Sequence, residues 1–403
     1  MISEKMIKLT KSNSVIRAMF EEGNRLAAAF GRENVYDFSL GNPSIPSPAA
    51  VNKAIIDIVS TENSIALHGY MSNAGYPAVR GDIAKSLNKR FDTLFTENNI
   101  IMSVGAAGGL NVVLKTLINP GDEVIVISPF FVEYGNYVSN FDGELVIIPA
   151  SRFDFQPDAE TLGKAITPKT KAVIINSPNN PTGVVYTEET IKQISAVLEE
   201  KSQENGSPIY IISDEPYREL AYDDVLVPFI TKYYKNTLVC YSWSKSLSLP
   251  GQRIGYIIVP SEINDYGLIF DAAGIATRIL GYVNAPALLQ RVVAKCLNEQ
   301  TDIAAYDTNR VLLYSSLEDL GFDPVYPQGA FYLWLKTPCK ASQSEPIDDK
   351  EFAEMAKKHN ILLVPGSAFT CPGYVRIAYC VAKKTIEDSL PAFEKLAKDV
   401  FYG

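Results

Sequence analysis

Lys245 is the residue of this sequence best placed for covalent chemistry. It lies between Ser244 and Ser246, three residues after the strand-like run TLVCYS (237–242), among apolar and hydroxylic neighbours. A lysine amine forms a Schiff base with a carbonyl compound when its surroundings keep it deprotonated, and it can also carry protons. A lysine on a solvated face is the alternative, but a lysine among serines and apolar residues at a strand end favours a functional site.

Histidine is scarce in the chain. The two histidines, His68 and His359, are far apart in sequence, so HExxH metalloproteases and His-rich metal cages are excluded, and we expect no metal site. A Ser-His-Asp triad would need one of the two, and neither is placed for it. If the protein is an enzyme, a group such as the Lys245 amine must move its protons.

Three further polar side chains follow two other strand-like runs. Asp214 and Tyr217 follow IYIIS (209–213), and Asn180 lies in the Pro- and Asn-rich turn after AVIIN (172–176). In open parallel sheets, ligands bind beyond the carboxyl ends of the strands, so these side chains can converge on one ligand. A helix-capping aspartate and a plain turn are the alternatives, and these residues alone leave them open.

The same region offers a candidate phosphate site. The turn GAAGG (105–109) opens a helix-like segment with small residues, which lets a phosphate approach the free N–H groups of the helix. Arg253 could share that anion with Ser242 and Ser244. The spacing matches neither GxxxxGK nor GxGxxG. With a lysine, an acid, a phenol and an amide nearby, the set suits pyridoxal phosphate (PLP), which needs a phosphate cup, a Schiff-base lysine and a carboxylate for its ring nitrogen.

The segments around these residues alternate between strand-like and helix-like patterns. Strand-like runs without polar alternation are typical of strands buried on both faces, and they occupy 123–128, 172–176, 209–213 and 237–242. Helix-like segments cover 105–118 and 187–202. This pattern predicts an α/β protein whose large domain has a mostly parallel sheet flanked by helices.

The pattern changes after about residue 290. Helix-like segments (286–298, 302–320, 349–359 and 382–399) surround three strand candidates (330–335, 361–365 and 374–380), which predicts a smaller α+β domain. A helical stretch within the first 45 residues lies outside the strand–helix alternation. We therefore predict a large domain over 46–289 and a small domain assembled from both termini, 1–45 and 290–403.

Composition narrows the class of protein. The chain has 403 residues, enough for two or three domains, and a net charge of −9 without a basic block, so we expect neither nucleic-acid nor membrane partners. No stretch reaches the ~18 apolar residues of a membrane span, and the N-terminus lacks the apolar core of a signal peptide. Five scattered cysteines without a CxxC pair fit a reducing compartment, so we predict a cytoplasmic protein.

Eight motifs, in this order along nearly the whole chain, resemble those of class I aminotransferases, the PLP enzymes with the aspartate aminotransferase fold (fold type I). The motifs are FSLGNP (38–43), Tyr70 followed by Gly75 and Arg80, VGAAGGL (104–110), SPFFVEY (128–134), NSPNNPTG (176–183), SDEPY (213–217), SWSKSLSLPGQRIGY (242–256) and YVRIAY (374–379). The set is highly specific, although its single members are not.

The resemblance implies roles around the PLP ring. Lys245 would form the Schiff base and then shuttle the proton of the substrate. Asp214 would bind the pyridine nitrogen, and Tyr217 and Asn180 would hydrogen-bond the 3′-oxygen. Phe131 would stack on the ring, where relatives commonly have Trp or Tyr; its alternative is a core aromatic.

It also implies roles at the two ends of the bound molecules. The phosphate would be held by Ser242, Ser244, Arg253 and the N–H groups of Ala106 and Ala107. Tyr70 would reach the phosphate of a neighbouring subunit in a homodimer with shared active sites. Arg376 would grip the substrate α-carboxylate in a two-point fork, and the backbone at Gly41 would close over it. The alternatives are a core role for Tyr70 and a surface position for Arg376.

The predicted function is amino-group transfer between an L-amino acid, with aspartate or an aromatic amino acid as candidates, and a 2-oxo acid. Arg278 is a candidate for binding a distal carboxylate of the substrate, and a helix-surface arginine is its alternative.

The phosphate turn GAAGG lacks the Ser or Thr that relatives often have, so the phosphate would depend more on backbone N–H groups. A carbon–sulfur β-lyase or an amino-acid decarboxylase on the same fold stays open, and a non-catalytic amino-acid sensor is disfavoured because the short acidic N-terminus leaves no room for a DNA-binding domain.

Overall fold

The computed structural model describes residues 2–11, 15–340 and 345–402. Its β-strands are β1 (Tyr36–Asp37), β2 (Ile100–Ser103), β3 (Glu123–Ser128), β4 (Glu144–Pro149), β5 (Thr170–Asn176), β6 (Tyr210–Asp214), β7 (Thr237–Ser242), β8 (Gly255–Ile258), β9 (Asp323–Val325), β10 (Tyr332–Lys336), β11 (Ile361–Leu362), β12 (Val364–Pro365) and β13 (Tyr374–Ala378). Most of these strands are short, with interior side chains that are apolar and buried.

The α-helices are α1 (Glu4–Lys11), α2 (Val15–Phe30), α3 (Ala49–Thr61), α4 (Ser64–His68), α5 (Pro77–Phe91), α6 (Gly105–Leu117), α7 (Glu133–Asn140), α8 (Ala159–Ala165), α9 (Glu188–Asn205), α10 (Trp243–Ser246), α11 (Tyr266–Ile279), α12 (Ala287–Lys295), α13 (Ile303–Asp319), α14 (Asp349–Lys357) and α15 (Lys383–Phe401). No helix in the described part of the chain combines the length and apolarity that crossing a bilayer would need.

The largest sheet has the strand order β2-β8-β7-β6-β5-β3-β4. Neighbouring strands from β7 to β4 run parallel, and β8 runs antiparallel to both β7 and β2. The prediction of a mostly parallel sheet is therefore confirmed. A parallel sheet aligns the carboxyl ends of β5, β6 and β7 at one edge, which is where the predicted site residues begin.

Helices cover both faces of this sheet. Side chains of β3 alternate between two cores: Val124 and Val126 pack with Leu110 and other α6 residues, whereas Ile125 packs with the buried face of α9 around Ile194. Strands that bury both faces have no polar side to expose, which explains why their sequences lack alternation. The predicted α/β architecture is confirmed.

A second sheet lies in the C-terminal part, with the antiparallel order β12-β13-β10-β9. The predicted strand 361–365 is in fact two strands. Ile361 of β11 pairs in parallel with Tyr36 of β1, whereas Val364 of β12 pairs with Arg376 of β13, so the chain leaves one sheet for the other at Leu363. The pairing of β1 with β11 joins the N-terminal segment to the C-terminal part, and the domain division at 46 and 290 stays a prediction.

Candidate active site

A cavity of about 300 Å³ opens at the carboxyl ends of β5, β6 and β7. The register places Asn176 of β5 opposite Asp214 of β6, and Asp214 opposite Cys240 of β7. The sequence-predicted residues that line this cavity are Gly41, Ala106, Ala107, Phe131, Asn180, Asp214, Tyr217, Ser242, Ser244, Lys245, Arg253 and Arg376. Residues from distant parts of the chain therefore converge on one volume.

Lys245 projects into the cavity from the single turn of α10. Its ammonium donates a hydrogen bond to the carbonyl of Gly41 across 2.7 Å and lies 5.0 Å from the ring centre of Phe331. The pKa of Lys245 is lowered to about 8, chiefly by burial; Cys380 opposes this shift, and the positive charges of Arg376 and Arg253 add to it. The amine is therefore poised to lose its proton near neutral pH.

Asp214 ends β6 at the floor of the cavity. Its Oδ2 accepts a hydrogen bond from the phenol of Tyr134 across 2.6 Å. Its Oδ1 is buried and has no hydrogen-bond partner among the described residues. Burial raises the pKa of Asp214 to about 7, the Tyr134 hydrogen bond lowers it, and the nearby Glu215 raises it. An unpaired buried carboxylate oxygen is costly, so a partner in the cavity is expected.

Arg376 is buried on β13 and held from several sides. Its guanidinium donates to Oδ1 of Asn180 across 3.1 Å and to the carbonyl of Ser39 across 2.6 Å. Its Cζ lies 4.5 Å from the ring centre of Tyr332 and 4.9 Å from that of Phe369. Its Nε is buried and has no hydrogen-bond partner in the described part of the chain. The positive charge is thus fixed in place beside the cavity with donor capacity to spare.

The part of the cavity lined by the start of α6 and Arg253 is suited to an anion. Helix α6 begins at Gly105, whose φ of +80° suits glycine, and the following N–H groups belong to Ala106 and Ala107. Nη2 of Arg253 bonds the carbonyl of Val104 across 3.4 Å, and a Cβ on Gly105 would come within 3.0 Å of that same nitrogen. A free helix N-terminus beside a guanidinium is a favourable place for a phosphate.

Two of the sequence-predicted residues do not line the cavity. Tyr70 follows α4 and is 92% exposed. Arg278 is exposed in the last turn of α11. Their predicted roles require a second subunit, and those roles stay predictions.

The sequence reasoning missed Tyr134 and Tyr332. Tyr134 lies in the quoted motif SPFFVEY, three residues after Phe131, but only the fold brings its hydroxyl to Asp214. Tyr332 lies in the strand run AFYLWL, and its hydroxyl bonds that of Tyr217 across 2.9 Å. A polar aromatic residue in an otherwise apolar strand was the available signal, because a buried phenol needs a partner.

The chain is similar in sequence and fold to known proteins. The family model for aminotransferase class I and II matches residues 33–393. A solved aminotransferase structure from Eubacterium rectale is 48% identical, with a TM-score of 0.94 over 99% of both chains. The Thermus thermophilus aspartate aminotransferase with maleate is 26% identical, with a TM-score of 0.84 over 98% of this chain and 100% of that one. A Pyrococcus abyssi aspartate aminotransferase is 30% identical over 96% of both proteins.

The chain belongs to the class I and II aminotransferases. It is an enzyme that uses PLP to transfer amino groups, as the resemblance predicted. The cavity fits this cofactor on two structural grounds: Oδ1 of Asp214, which no described residue hydrogen-bonds, offers an acceptor for a protonated ring nitrogen, and the Gly105 turn beside Arg253 leaves room for a phosphate.

Proposed function

We propose that this aminotransferase moves an amino group from an L-amino acid, with aspartate and aromatic amino acids as the candidate substrates, to a 2-oxo acid, and that Lys245 would hold the cofactor through a Schiff base and carry protons. The observation that carries the proposal is the convergence of Lys245, Asp214, Tyr217 and Arg376 on one cavity. When bound, PLP supplies an electron sink for the bond broken at the substrate Cα. The remaining work falls to side chains of this chain.

Lys245 is the proposed proton carrier. Its pKa of about 8 leaves about a tenth of the amine neutral at pH 7, far more than in an ordinary lysine, and this neutral form can attack a carbonyl or accept a proton. The hydrogen bond from Nζ to the carbonyl of Gly41 holds the amine beside the segment that would close over a substrate carboxylate. Position and protonation state therefore support the same role.

Asp214 and Tyr217 are proposed to hold the cofactor ring at opposite edges. Oδ1 of Asp214 would accept from the ring nitrogen, and the Tyr217 phenol, with the amide of Asn180, would donate to the ring oxygen. The backbone of Asn180 is held in place because its N–H donates to Oδ1 of Asn176 across 2.8 Å. Phe131 lines the same cavity and is proposed to cover one face of the ring.

The phosphate is proposed to lie at the start of α6. Its oxygens would accept from the N–H groups of Ala106 and Ala107, from Arg253 and from the hydroxyls of Ser242 and Ser244, all of which line the cavity. The helix dipole favours the negative charge at this end.

Arg376 is proposed to bind the α-carboxylate of the substrate. Its Nε, which has no partner among the described residues, and the remaining guanidinium protons can donate in a two-point fork, which a lysine would not reproduce. Because Asn180 and Ser39 already hold the guanidinium, little side-chain entropy is lost when the substrate binds.

We further propose a homodimer with shared active sites. Tyr70 is too exposed to serve the cavity of its own subunit, and apolar side chains are exposed on the helices around it, such as Ile65 of α4 and Ile275 of α11. Asn73, three residues after Tyr70, lies next to Gly274 of α11, so the Tyr70 loop and the helix that carries Arg278 form one surface. A second copy that covers this surface could deliver both side chains to the partner's cavity.

Shared sites can be tested by mixing two inactive proteins. Tyr70→Ala and Lys245→Ala are each expected to lose activity, and co-refolded mixtures are expected to regain part of it because mixed dimers hold one intact site. Activity that never returns, with the mixed dimer detected by mass spectrometry, would refute sharing.

Aspartate and aromatic amino acids are the proposed substrates, and Arg278 would bind the distal carboxylate of aspartate. The segment 276–286 also carries apolar residues and Tyr282, which suit an aromatic side chain.

A cytoplasmic location is proposed from the scattered cysteines alone.

The decisive experiment follows the absorbance of the bound cofactor while single amino acids are added. We expect aspartate or an aromatic amino acid to convert it stoichiometrically, and a 2-oxo acid to reverse the change. Catalytic release of pyruvate and ammonia from cystathionine, without that reversible conversion, would overturn the proposal. Arg278→Leu is expected to lower kcat/KM for aspartate more than kcat/KM for phenylalanine.

A further inference from the structure

Tyr332 contacts both the cofactor side and the substrate side of the proposed site. Its hydroxyl lies 2.9 Å from the hydroxyl of Tyr217, and its ring lies under the guanidinium of Arg376 at 4.5 Å. Its side chain is buried and lines the cavity. Tyr332 therefore contacts both Tyr217, which is proposed to bind the cofactor, and Arg376, which is proposed to bind the substrate.

The backbone at Gly41 fixes the hydroxyl of Tyr332 further. A Cβ at this position would come within 2.0 Å of the Tyr332 oxygen, so the segment that carries Gly41 packs directly on the phenol. The carbonyl of Gly41 also accepts the hydrogen bond from Lys245. The Tyr332 hydroxyl thus has little freedom to turn away from Tyr217.

We propose that Tyr332 is a positioning residue that couples Tyr217 to Arg376. The proposal rests on the function proposed above for those two residues. The hydroxyl of Tyr332 donates to the oxygen of Tyr217, and the face of its ring holds the Arg376 cation.

The direction of the hydrogen bond follows from proton counting. A phenol has one proton, so once Tyr217 donates that proton to a cofactor oxygen, only Tyr332 can supply the proton between the two hydroxyls. A phenol that accepts a hydrogen bond becomes a better donor, because hydrogen bonds in a chain polarise one another. Tyr332 therefore strengthens the contact that Tyr217 makes.

The ring has a separate task. A guanidinium over an aromatic face is attracted by the ring quadrupole, most strongly where water is excluded. Arg376 lies between the rings of Tyr332 and Phe369, at 4.5 and 4.9 Å. The hydroxyl and the ring can be separated by substitution, since phenylalanine keeps the ring and leucine keeps neither.

The charged and titratable groups that face the pair come from several elements. They are Arg376 in the middle of β13, Cys380 two residues after that strand, Asp214 at the end of β6, and Lys245 on α10. All remain in Tyr332→Phe, so a change in the pH dependence of the variant reports the lost hydroxyl.

The experiment uses the holoenzyme with Tyr332→Phe, Tyr332→Leu and the control Tyr222→Phe. Tyr222 is also a buried tyrosine of the same core, and its hydroxyl donates to the carbonyl of Ala330 across 2.5 Å. The readouts are the pH midpoint of the cofactor absorbance, and kcat and KM for the amino acid identified in the wild-type half-reaction.

We expect Tyr332→Phe to raise the absorbance midpoint by about half a pH unit, because the cofactor oxygen is held less well as an anion. Its kcat should fall several-fold, with KM within about twofold of the wild type since the ring remains. Tyr332→Leu should show the same midpoint shift and also raise KM about tenfold. Tyr222→Phe should change neither.

The coupling is overturned if Tyr332→Phe keeps the wild-type midpoint, or if Tyr222→Phe shifts it equally. If the leucine variant does not fold, the phenylalanine variant decides the matter, because it retains the packing of the ring. A wild type that gives no half-reaction overturns the proposed function itself, and this inference with it. An active wild type with an unchanged phenylalanine variant overturns the coupling alone.

Discussion

The phenol of Tyr134 donates to Oδ2 of Asp214 across 2.6 Å, and this bond occupies one of the two carboxylate oxygens. The other oxygen, Oδ1, is buried and lacks a hydrogen-bond partner among the described residues. Burial raises the pKa of Asp214 to about 7, and the Tyr134 bond opposes that effect because it stabilises the ionised carboxylate. Tyr134 thus favours the charge that a protonated cofactor ring requires.

Replacement of Tyr134 by Phe is expected to raise the pKa of Asp214 further and to weaken PLP binding at pH 7. A hydrogen bond to a charged group contributes about 1.5–3 kcal/mol, so the dissociation constant should rise at least about tenfold. The measurement is a titration of cofactor-free protein with PLP at several pH values. The difference should shrink as the pH rises and the carboxyl ionises in both proteins.

Tyr234→Phe is the matched control. Tyr234 is equally buried, and its hydroxyl donates to the carbonyl of Ile209 across 2.6 Å, before β6 begins and at the opposite end of that strand from Asp214. The control should lower the melting temperature and leave PLP affinity unchanged. Equal PLP affinity of the Tyr134 variant and the wild type at every pH would contradict the assigned role.

Asp214 also makes the stability of the cofactor-free protein depend on pH. Its pKa is about 7 in the folded protein against an ordinary 3.8, so between these values the folded carboxyl keeps a proton that the unfolded chain releases. Its contribution is therefore full below about pH 4 and is lost as the pH rises through 7, by a few kcal/mol. Asp214→Asn should remove this dependence in urea unfolding at pH 4 to 8.

Asp57→Asn serves as the control for this experiment. Asp57 is a half-buried residue of α3 whose pKa is lowered by its hydrogen bond to Lys53, so its contribution has the opposite sign and is lost as the pH falls. If the stability difference between the wild type and Asp214→Asn is constant from pH 4 to 8, the buried carboxyl does not titrate in this range.

The secondary-structure elements could be predicted where burial makes the local sequence apolar. The strands 123–128 and 237–242 have the predicted bounds, because runs buried on both faces are apolar throughout. The sequence reasoning did not identify β2, β4 or β8 as strands. Strand β8 is four residues long and lies between β7 and β2, so its assignment depends on neighbours that are distant in sequence.

The site residues also differ in whether the local sequence predicts them. Asp214 is the last residue of β6 and Lys245 lies three residues after the end of β7, so the rule that ligands bind beyond strand ends pointed to both, although Asp214 alone left a helix-capping role open. Tyr332 reaches the cavity from β10, whose pairing with β13 places it opposite Ala378, and local sequence does not contain that register. Tyr70 and Arg278 depend on contacts that one chain cannot supply.

Lys245 in the cofactor-free protein should react with amine reagents at lower pH than surface lysines. Its pKa is lowered to about 8, chiefly by burial, whereas the pKa of exposed Lys53 is raised by its hydrogen bond to Asp57. Reductive methylation read out by peptide mass spectrometry should therefore give Lys245 a midpoint near pH 8, with Lys53 well above it. Identical profiles for the two lysines would refute the shift.

Arg376→Lys tests whether the guanidinium is needed as a fork. The lysine keeps the positive charge but has no planar pair of donors, and it also loses the rigid hold by Asn180 and Ser39. We expect KM for the amino acid to rise about 10- to 100-fold, which corresponds to about 1.4–2.8 kcal/mol, with little change in PLP affinity. Steady-state kinetics and PLP titration measure the two effects.

Arg25→Lys is the matched control. Arg25 is an exposed residue of α2 whose described salt bridge is with the neighbouring Glu22, so this variant should leave both constants unchanged. An Arg376→Lys enzyme with wild-type KM would show that the substrate carboxylate is bound elsewhere.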